Sequence, residues 1–332
     1  MSDGVDPPYA HSSRPVHCLI GPTASGKSGV AMAYAQAIRE TPLKPEVEII
    51  SLDSAQIYRG LDLGTAKPSA SERSTVAHHL IDLLEPEDHY SVAQCHQDVW
   101  TKVGEIRARG HEPLIVGGTM LYFKALLEGL DQLPQTPPAI RDAVAAEALA
   151  EGWPALHAQL MQVDPSTAQR LAPHDAQRIS RALEVWRHTG ESLSDWILKS
   201  QDAPTLRLQA LPMRTVALLP QDRTWLHRRI EQRFLDMVDQ GLLEEVAGLM
   251  QRPHLTGEHP SMRSVGYRQA WLHLSGDLSR EAFIRKGIEA TRQLAKRQIT
   301  WLRSFQAAGS VTAWPAETAD LPQMMRVWSS PD

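Results

Sequence analysis

The sequence is poor in cysteine, with only Cys18 and Cys95 among 332 residues and no CxxC spacing. Neither a disulfide framework nor a cysteine-bound zinc is indicated, and a reducing cytoplasm fits. Long apolar runs are lacking too: none approaches the roughly 18 residues that a membrane span needs. The stretch from Met1 to Arg14 is polar, has no apolar region like that of a signal peptide, and reads as a loose tail. Fourteen histidines include no HExxH and no cluster at ligand spacing, so no metal is assigned to them; His78, His79, His254 and His259 read as surface or packing residues. What remains is a soluble globular protein of about twice the usual single-domain length, with 42% apolar residues from which to build its core.

Positive charge is scarce on average. The net charge of −5 taken alone argues against a nucleic-acid partner. The charge is segregated, however: nine Lys/Arg stand against three Asp/Glu between Ser261 and Arg303, a local +6 that leaves −11 for the rest.

The first third alternates short apolar runs (Val16 to Ile20, Val47 to Leu52, Pro113 to Val116) with helical stretches (Gly29 to Ile38, Val92 to Arg109). That pattern predicts parallel βαβ units in a doubly wound α/β core. From about Asp131 the texture turns helical, with Asp164 ahead of Pro165 and Asp175 ahead of an Ile179/Leu183/Trp186 stripe as helix caps. Arg207 to Leu219 returns to a strand-like alternation, followed by a long helix around Trp225 to Asp239. The expected organisation is a tail over 1–14, an α/β core over 15–130, a helical insertion over 131–205, a second core segment over 206–313 and a tail over 314–332.

Gly21-Pro22-Thr23-Ala24-Ser25-Gly26-Lys27-Ser28 matches GxxxxGK followed by Ser or Thr, directly after an apolar strand and before a helix. Glycines let backbone N–H groups curl around an anion, the helix N-terminus adds positive dipole, Lys27 bridges phosphate oxygens and the Ser28 hydroxyl can ligate Mg²⁺. The loop predicts a polyphosphate with Mg²⁺ and does not by itself specify a nucleotide. Asp53 closes the second strand beside this loop, in the crevice where open α/β sheets bind ligands. It reads as a general base, as an outer-sphere group on Mg²⁺, or as the cap of the turn Ser54 to Tyr58. After the third strand stand Gly117-Gly118-Thr119, where many nucleoside triphosphatases carry a Walker B acid. That absence weakens the case for an ATP-hydrolysing motor.

Arg223, Arg228, Arg229 and Arg233 cluster on one predicted helix, and any of them could neutralise a leaving phosphate; a solvated charged face is the alternative. Near the C-terminus, Arg263 to Arg268 and Thr291 to Arg303 form the basic segment. There Leu294, Gln298 and Trp301 are expected to pack, Arg292, Lys296, Thr300 and Arg303 to face outward toward RNA phosphates, and Tyr267 to stack a base. A plain basic surface helix remains the other reading.

Taken together, Gly21 to Ser28, Asp53 to Tyr58 with Gly64 to Pro68, Gly117 to Thr119, Asp175 to Glu184, Arg263 to Arg268 and Thr291 to Arg303 closely resemble the bacterial tRNA dimethylallyltransferase family. The resemblance implies a P-loop NTPase-like parallel-sheet core with a helical insertion. It implies Mg²⁺-assisted transfer of a dimethylallyl group from dimethylallyl diphosphate to the N6 amine of the adenosine 3′ to the anticodon, in tRNAs reading codons that begin with U. It assigns Asp53 as base, Arg233 and Lys27 to the diphosphate, and Thr23 as a helper in holding substrate. It assigns contacts with the tRNA anticodon stem-loop to Asp53, Ser54, Ala55, Gln56, Thr119, Arg141, Gln177, Arg178, Ile179, Ser180, Arg181, Arg263, Ser264, Val265, Gly266, Tyr267, Arg268, Thr291, Arg292, Lys296, Arg297 and Gln298. Ser28 stands where the family commonly has Thr, which keeps the metal-ligating hydroxyl, and no C2H2 finger precedes Asp332, so the bacterial form is expected. A membrane is not implied, no obligate protein partner is evident, and a monomer fits. A P-loop small-molecule kinase of the shikimate or adenylate kinase type is the runner-up, told apart by phosphate transfer that RNA does not affect. A non-catalytic RNA-binding module is the third reading, told apart by whether Asp53→Ala abolishes a turnover.

Overall fold

The computed structural model describes residues 14–41, 44–131, 133–202, 207–319, 322 and 328. In chain order the first elements are β1 (Val16–Ile20), α1 (Lys27–Arg39), β2 (Val47–Leu52), α2 (Ala70–Thr75), β3 (His78–His79), α3 (Val92–Ala108), β4 (Glu112–Gly117) and α4 (Met120–Glu128). Then come β5 (Leu130–Asp131), α5 (Pro138–Glu151), α6 (Trp153–Val163), α7 (Pro165–Ala168), α8 (Ala176–Thr189), α9 (Leu193–Asp202) and β6 (Arg207–Leu208). The last are β7 (Met213–Leu219), α10 (Arg223–Asp239), α11 (Leu242–Leu249), α12 (Tyr267–Leu274), α13 (Arg280–Ala307) and β8 (Thr312–Pro315). These elements form two units, one from residues 1–127 with 211–332 and one from 128–210.

The larger unit is built on a six-stranded sheet in the order β3-β2-β4-β1-β7-β8, and its neighbouring strands all run parallel. Its inner strands are mainly apolar because both faces are covered: Cys18, Ile20, Ile50, Leu52 and Ile115 enter one core, and Leu19, Ile49, Leu114, Val116 and Leu218 the other. Two strands differ from the sequence expectation. β3 consists of the two histidines read as surface or packing residues, and β8 pairs with β7 and runs past residue 314, where a tail was expected to begin. Each is too short, or too mixed in character, to stand out without its neighbour. Among the described residues no helix is long and apolar enough to cross a membrane.

The smaller unit is helical around a core of Val144, Leu156, Leu160, Ala168, Ile179, Ala182 and Leu183, with β5 and β6 paired antiparallel where the chain enters and leaves it. Its caps follow the expected chemistry. Asp164 accepts the Thr167 N–H at 3.0 Å and two bonds from Ser194, and Asp175 accepts the Arg178 N–H at 3.4 Å.

Candidate active site at the carboxyl ends of the strands

The P-loop leaves β1 beside the carboxyl ends of β2 and β4, and Gly21 N–H donates to Gly117 O at 3.2 Å. Ala24 holds φ at 63°, a left-handed conformation costly for a residue with a side chain. The surroundings enforce it. Ala24 packs among Leu226 and Ile230 of α10 and Ala295 of α13, while Arg229 Nε donates to the Ala24 carbonyl at 2.9 Å. Arg229 also lies over the Trp225 ring, 4.9 Å from its centroid, so it braces the loop from outside.

Inside the loop opens a cavity of ≈ 620 Å³, lined by Thr23, Ala24, Lys27, Ser28, Asp53 to Gln56, Gly117 to Leu121, Arg233, Arg263 to Tyr267 and one side of α13. Gly21, Pro22, Ser25 and Gly26 do not line it; they shape the loop. Lys27 Nζ donates to Pro22 O at 3.3 Å. Burial, then the charge of Arg233, pushes the ammonium down to about 8, against the pull of Asp53. Burial likewise lowers Arg233, again opposed by Asp53 and reinforced by Arg229. Three charges therefore face one space, two of them cations held together at a cost that an anion would relieve.

Asp53 serves as the cap of its turn and keeps capacity in reserve. Its Oδ1 accepts the Ala55 N–H at 2.9 Å and the Gln56 N–H at 3.3 Å, which fixes the carboxylate and leaves Oδ2 for another partner. Thr119 Oγ1 accepts the Ser54 N–H at 3.0 Å, and Gln56 Nε2 donates to the carbonyls of Thr65 and Ala66, both at 3.3 Å, tying the wall at 64–66 to the Asp53 turn. The same wall is latched from behind. Glu245 accepts the Asp62 and Leu63 N–H groups at 3.2 and 2.8 Å and a short bond from Tyr267 Oη, which itself accepts the Gly64 N–H at 3.1 Å. Lys67, its side chain 2% exposed, binds Tyr58 O, Asp62 and Asp82 at 2.8, 2.6 and 2.6 Å.

Several expected RNA contacts are placed otherwise. Tyr267 is fully buried in the Glu245 latch and cannot stack a base. Gln298 is 8% exposed, with both ends of its amide used inside the protein. Arg292 is paired with Glu231 at 2.7 Å. In the helical unit Ile179 is fully buried in the core, Ser180 donates to Glu184 at 2.6 Å, Arg181 binds Thr136 and Pro134 at 2.7 and 2.9 Å, and Arg141 reaches Thr136 O at 3.1 Å. Arg263, Arg268, Lys296 and Arg297 are exposed in the core unit, and Gln177 and Arg178 in the helical one.

The predicted packing of α13 is rotated. Its buried side is Ala295, Gln298, Leu302 and Phe305, whereas Leu294 and Trp301 line the cavity, Trp301 being 36% exposed with Lys124 Nζ 5.9 Å from its ring centroid. Trp301, Glu245 and the Arg229 brace carry no local motif, so sequence reasoning missed their roles.

Ser28 Oγ and the Asp53 carboxylate offer hard oxygen donors to the cavity, and among the described residues no cluster of three or more His, Cys, Asp or Glu could hold a metal. This suits Mg²⁺, which keeps most of its waters and is bound through few protein oxygens plus substrate phosphates.

Known proteins resemble this chain in sequence and in fold. The profile of the IPP transferase family matches residues 56–305. A tRNA dimethylallyltransferase of Methylibium petroleiphilum is 55% identical over 292 residues, 87% of this chain and 86% of that protein. Among solved structures, a tRNA isopentenylpyrophosphate transferase from Bacillus halodurans superposes with a TM-score of 0.63 at 30% identity, covering 94% of each chain. A eukaryotic dimethylallyltransferase acting on tRNA shares the fold at a TM-score of 0.74 and 24% identity, over 94% of this chain and 76% of that one. With three quarters of its length matched and half its residues shared with such relatives, the chain belongs to the IPP transferase family.

Proposed function

We propose that this chain transfers the dimethylallyl group of dimethylallyl diphosphate to the N6 amine of the adenosine 3′ to the anticodon, in tRNAs reading codons that begin with U. The observation that carries this reading is the meeting of the anchored Asp53 carboxylate with Lys27 and Arg233 in one cavity beside the P-loop. The amine nitrogen bonds to the allylic carbon as the C–O bond breaks, the diphosphate leaves with the bonding electrons, and Asp53 Oδ2 takes the proton from nitrogen. Lys27, Arg233 and the P-loop N–H groups offset the charge that grows on the diphosphate, with Thr23 beside it. Ser28 Oγ would hold Mg²⁺ at the loop, and the ion would supply further neutralisation of the leaving group.

The adenine reaches this depth by leaving the anticodon-loop stack, which is least costly for a single-stranded base. Contacts to the RNA are assigned to Ser54, Ala55, Gln56, Thr119, Arg263, Ser264, Val265, Arg268, Thr291, Lys296 and Arg297, and in the helical unit to Gln177 and Arg178. In this reading the protein acts as a monomer. Incubation with Mg²⁺, labelled dimethylallyl diphosphate and unmodified tRNA yields prenylated adenosine in this reading; absence of label from the RNA overturns it.

A further inference from the structure

Gln298 is the odd member of the basic segment. Thr291, Leu294, Arg297 and Trp301 line the cavity from the same helix, and Gln298 lines it too, but it is only 8% exposed and its amide is taken up by the protein's own backbone. Its Oε1 accepts the Thr23 N–H at 2.9 Å and its Nε2 donates to Gly118 O at 2.8 Å. One amide thus ties α13 to the two loops that wall the phosphate end of the cavity, the P-loop and the turn after β4. The contact leaves no room for variation: a Cβ at Gly118 would lie 2.8 Å from Gln298 Nε2 and 3.1 Å from Gly21 O. Only a side chain that donates at one end and accepts at the other satisfies both backbone groups, and a buried amide left half-paired is costly.

We infer that Gln298 is a positioning residue for the diphosphate site, acting through Thr23 and the Gly118 turn, and not a contact to RNA. This rests on the functional reading above, but its first test does not need turnover. Inorganic diphosphate with Mg²⁺ is titrated into the intact protein by calorimetry, for wild type, Gln298→Met and Gln298→Glu. The Met variant fills the space with no hydrogen bond; the Glu variant keeps the acceptor for Thr23 N–H and loses the donor to Gly118 O. Diphosphate affinity is expected to fall roughly tenfold or more in Gln298→Met and at least as far in Gln298→Glu, whose carboxylate meets the Gly118 carbonyl and adds an anion beside the site, while the Kd for tRNA stays within about twofold of wild type. In steady state the same variants raise KM for dimethylallyl diphosphate more than KM for tRNA. A tRNA Kd weakened tenfold with diphosphate affinity unchanged overturns the inference, as does equal diphosphate affinity in all three proteins. If Gln298→Met does not fold, the Glu variant decides on the same criteria. A wild type that binds diphosphate but labels no RNA fails the functional reading while leaving the Gln298 result interpretable.

Discussion

β2 carries a carboxylate at each end, and the two are treated in opposite ways. Glu48, at the amino end and 6% exposed, has both oxygens taken: Arg109 at 3.2 and 2.7 Å, His79 at 2.5 Å and His111 at 2.6 Å. Burial raises its pKa, but those hydrogen bonds outweigh burial and push it down to about 2. Asp53, just past the carboxyl end, is gripped through one oxygen by backbone N–H groups and faces cations that burial has weakened. An acid whose partners are complete holds structure together. An acid anchored on one side, opposite cations that form no ion pair among the described residues, is prepared for a ligand.

Asp53→Asn breaks this contrast most directly. It keeps the size and the Oδ1 acceptor but removes the base, so single-turnover prenyl transfer should fall by roughly 10²–10⁴ with the melting temperature nearly unchanged; a near wild-type rate refutes the assignment. Arg233→Ala should cost roughly 10²–10³ in kcat/KM, and Arg229→Ala, which only loosens the brace on Ala24, about tenfold. Equal losses in the two would mean that both arginines reach the diphosphate.

Lys27 sharpens the comparison through pH. Its ammonium is favoured below about 8 and lost above it, so kcat/KM for dimethylallyl diphosphate should drop about tenfold per pH unit beyond that point. A flat profile from pH 7 to 9 contradicts the assigned role. The smallest effect on turnover belongs to Glu48→Gln, which should leave kcat within about twofold yet cost about 2–3 kcal/mol of stability, measured by denaturant unfolding at pH 7. The folded value lies below the ordinary one, so the Glu48 contribution is complete above about 4.5 and disappears as pH falls toward about 2. The variant should therefore lose less stability than wild type on acidification.

What was legible in the sequence was whatever short-range chemistry determines. GxxxxGK between strand and helix, the apolar runs of β1, β2 and β4, and the caps Asp164 and Asp175 each carry their reason within a few residues. The role of Gln298 does not, because its partner Thr23 is 275 positions away. Nor does the packed side of α13, which is decided by Ala24, Leu226 and Ile230 from elsewhere in the chain. Tyr267 misleads for a related reason: an aromatic amid arginines suits a stacking platform equally well until Glu245 is seen to hold its hydroxyl. Arg233 and Arg229 share one helix face, so only the family resemblance separates them in the sequence, and the fold adds the reason, since their surroundings differ.

The position of β1 in the sheet bears on how the molecule is made. This first strand is central, flanked by β4 and β7, and β7 does not begin until Met213. On a ribosome adding roughly 5–20 residues per second, one side of this central strand waits on the order of ten seconds or more for its neighbour. Gln298, which completes the phosphate end, emerges later still. The nascent chain thus holds an apolar strand and an unbraced P-loop through most of its synthesis, and slowing translation between β4 and β7 lengthens the interval in which that strand is open to mispairing or to chaperone capture.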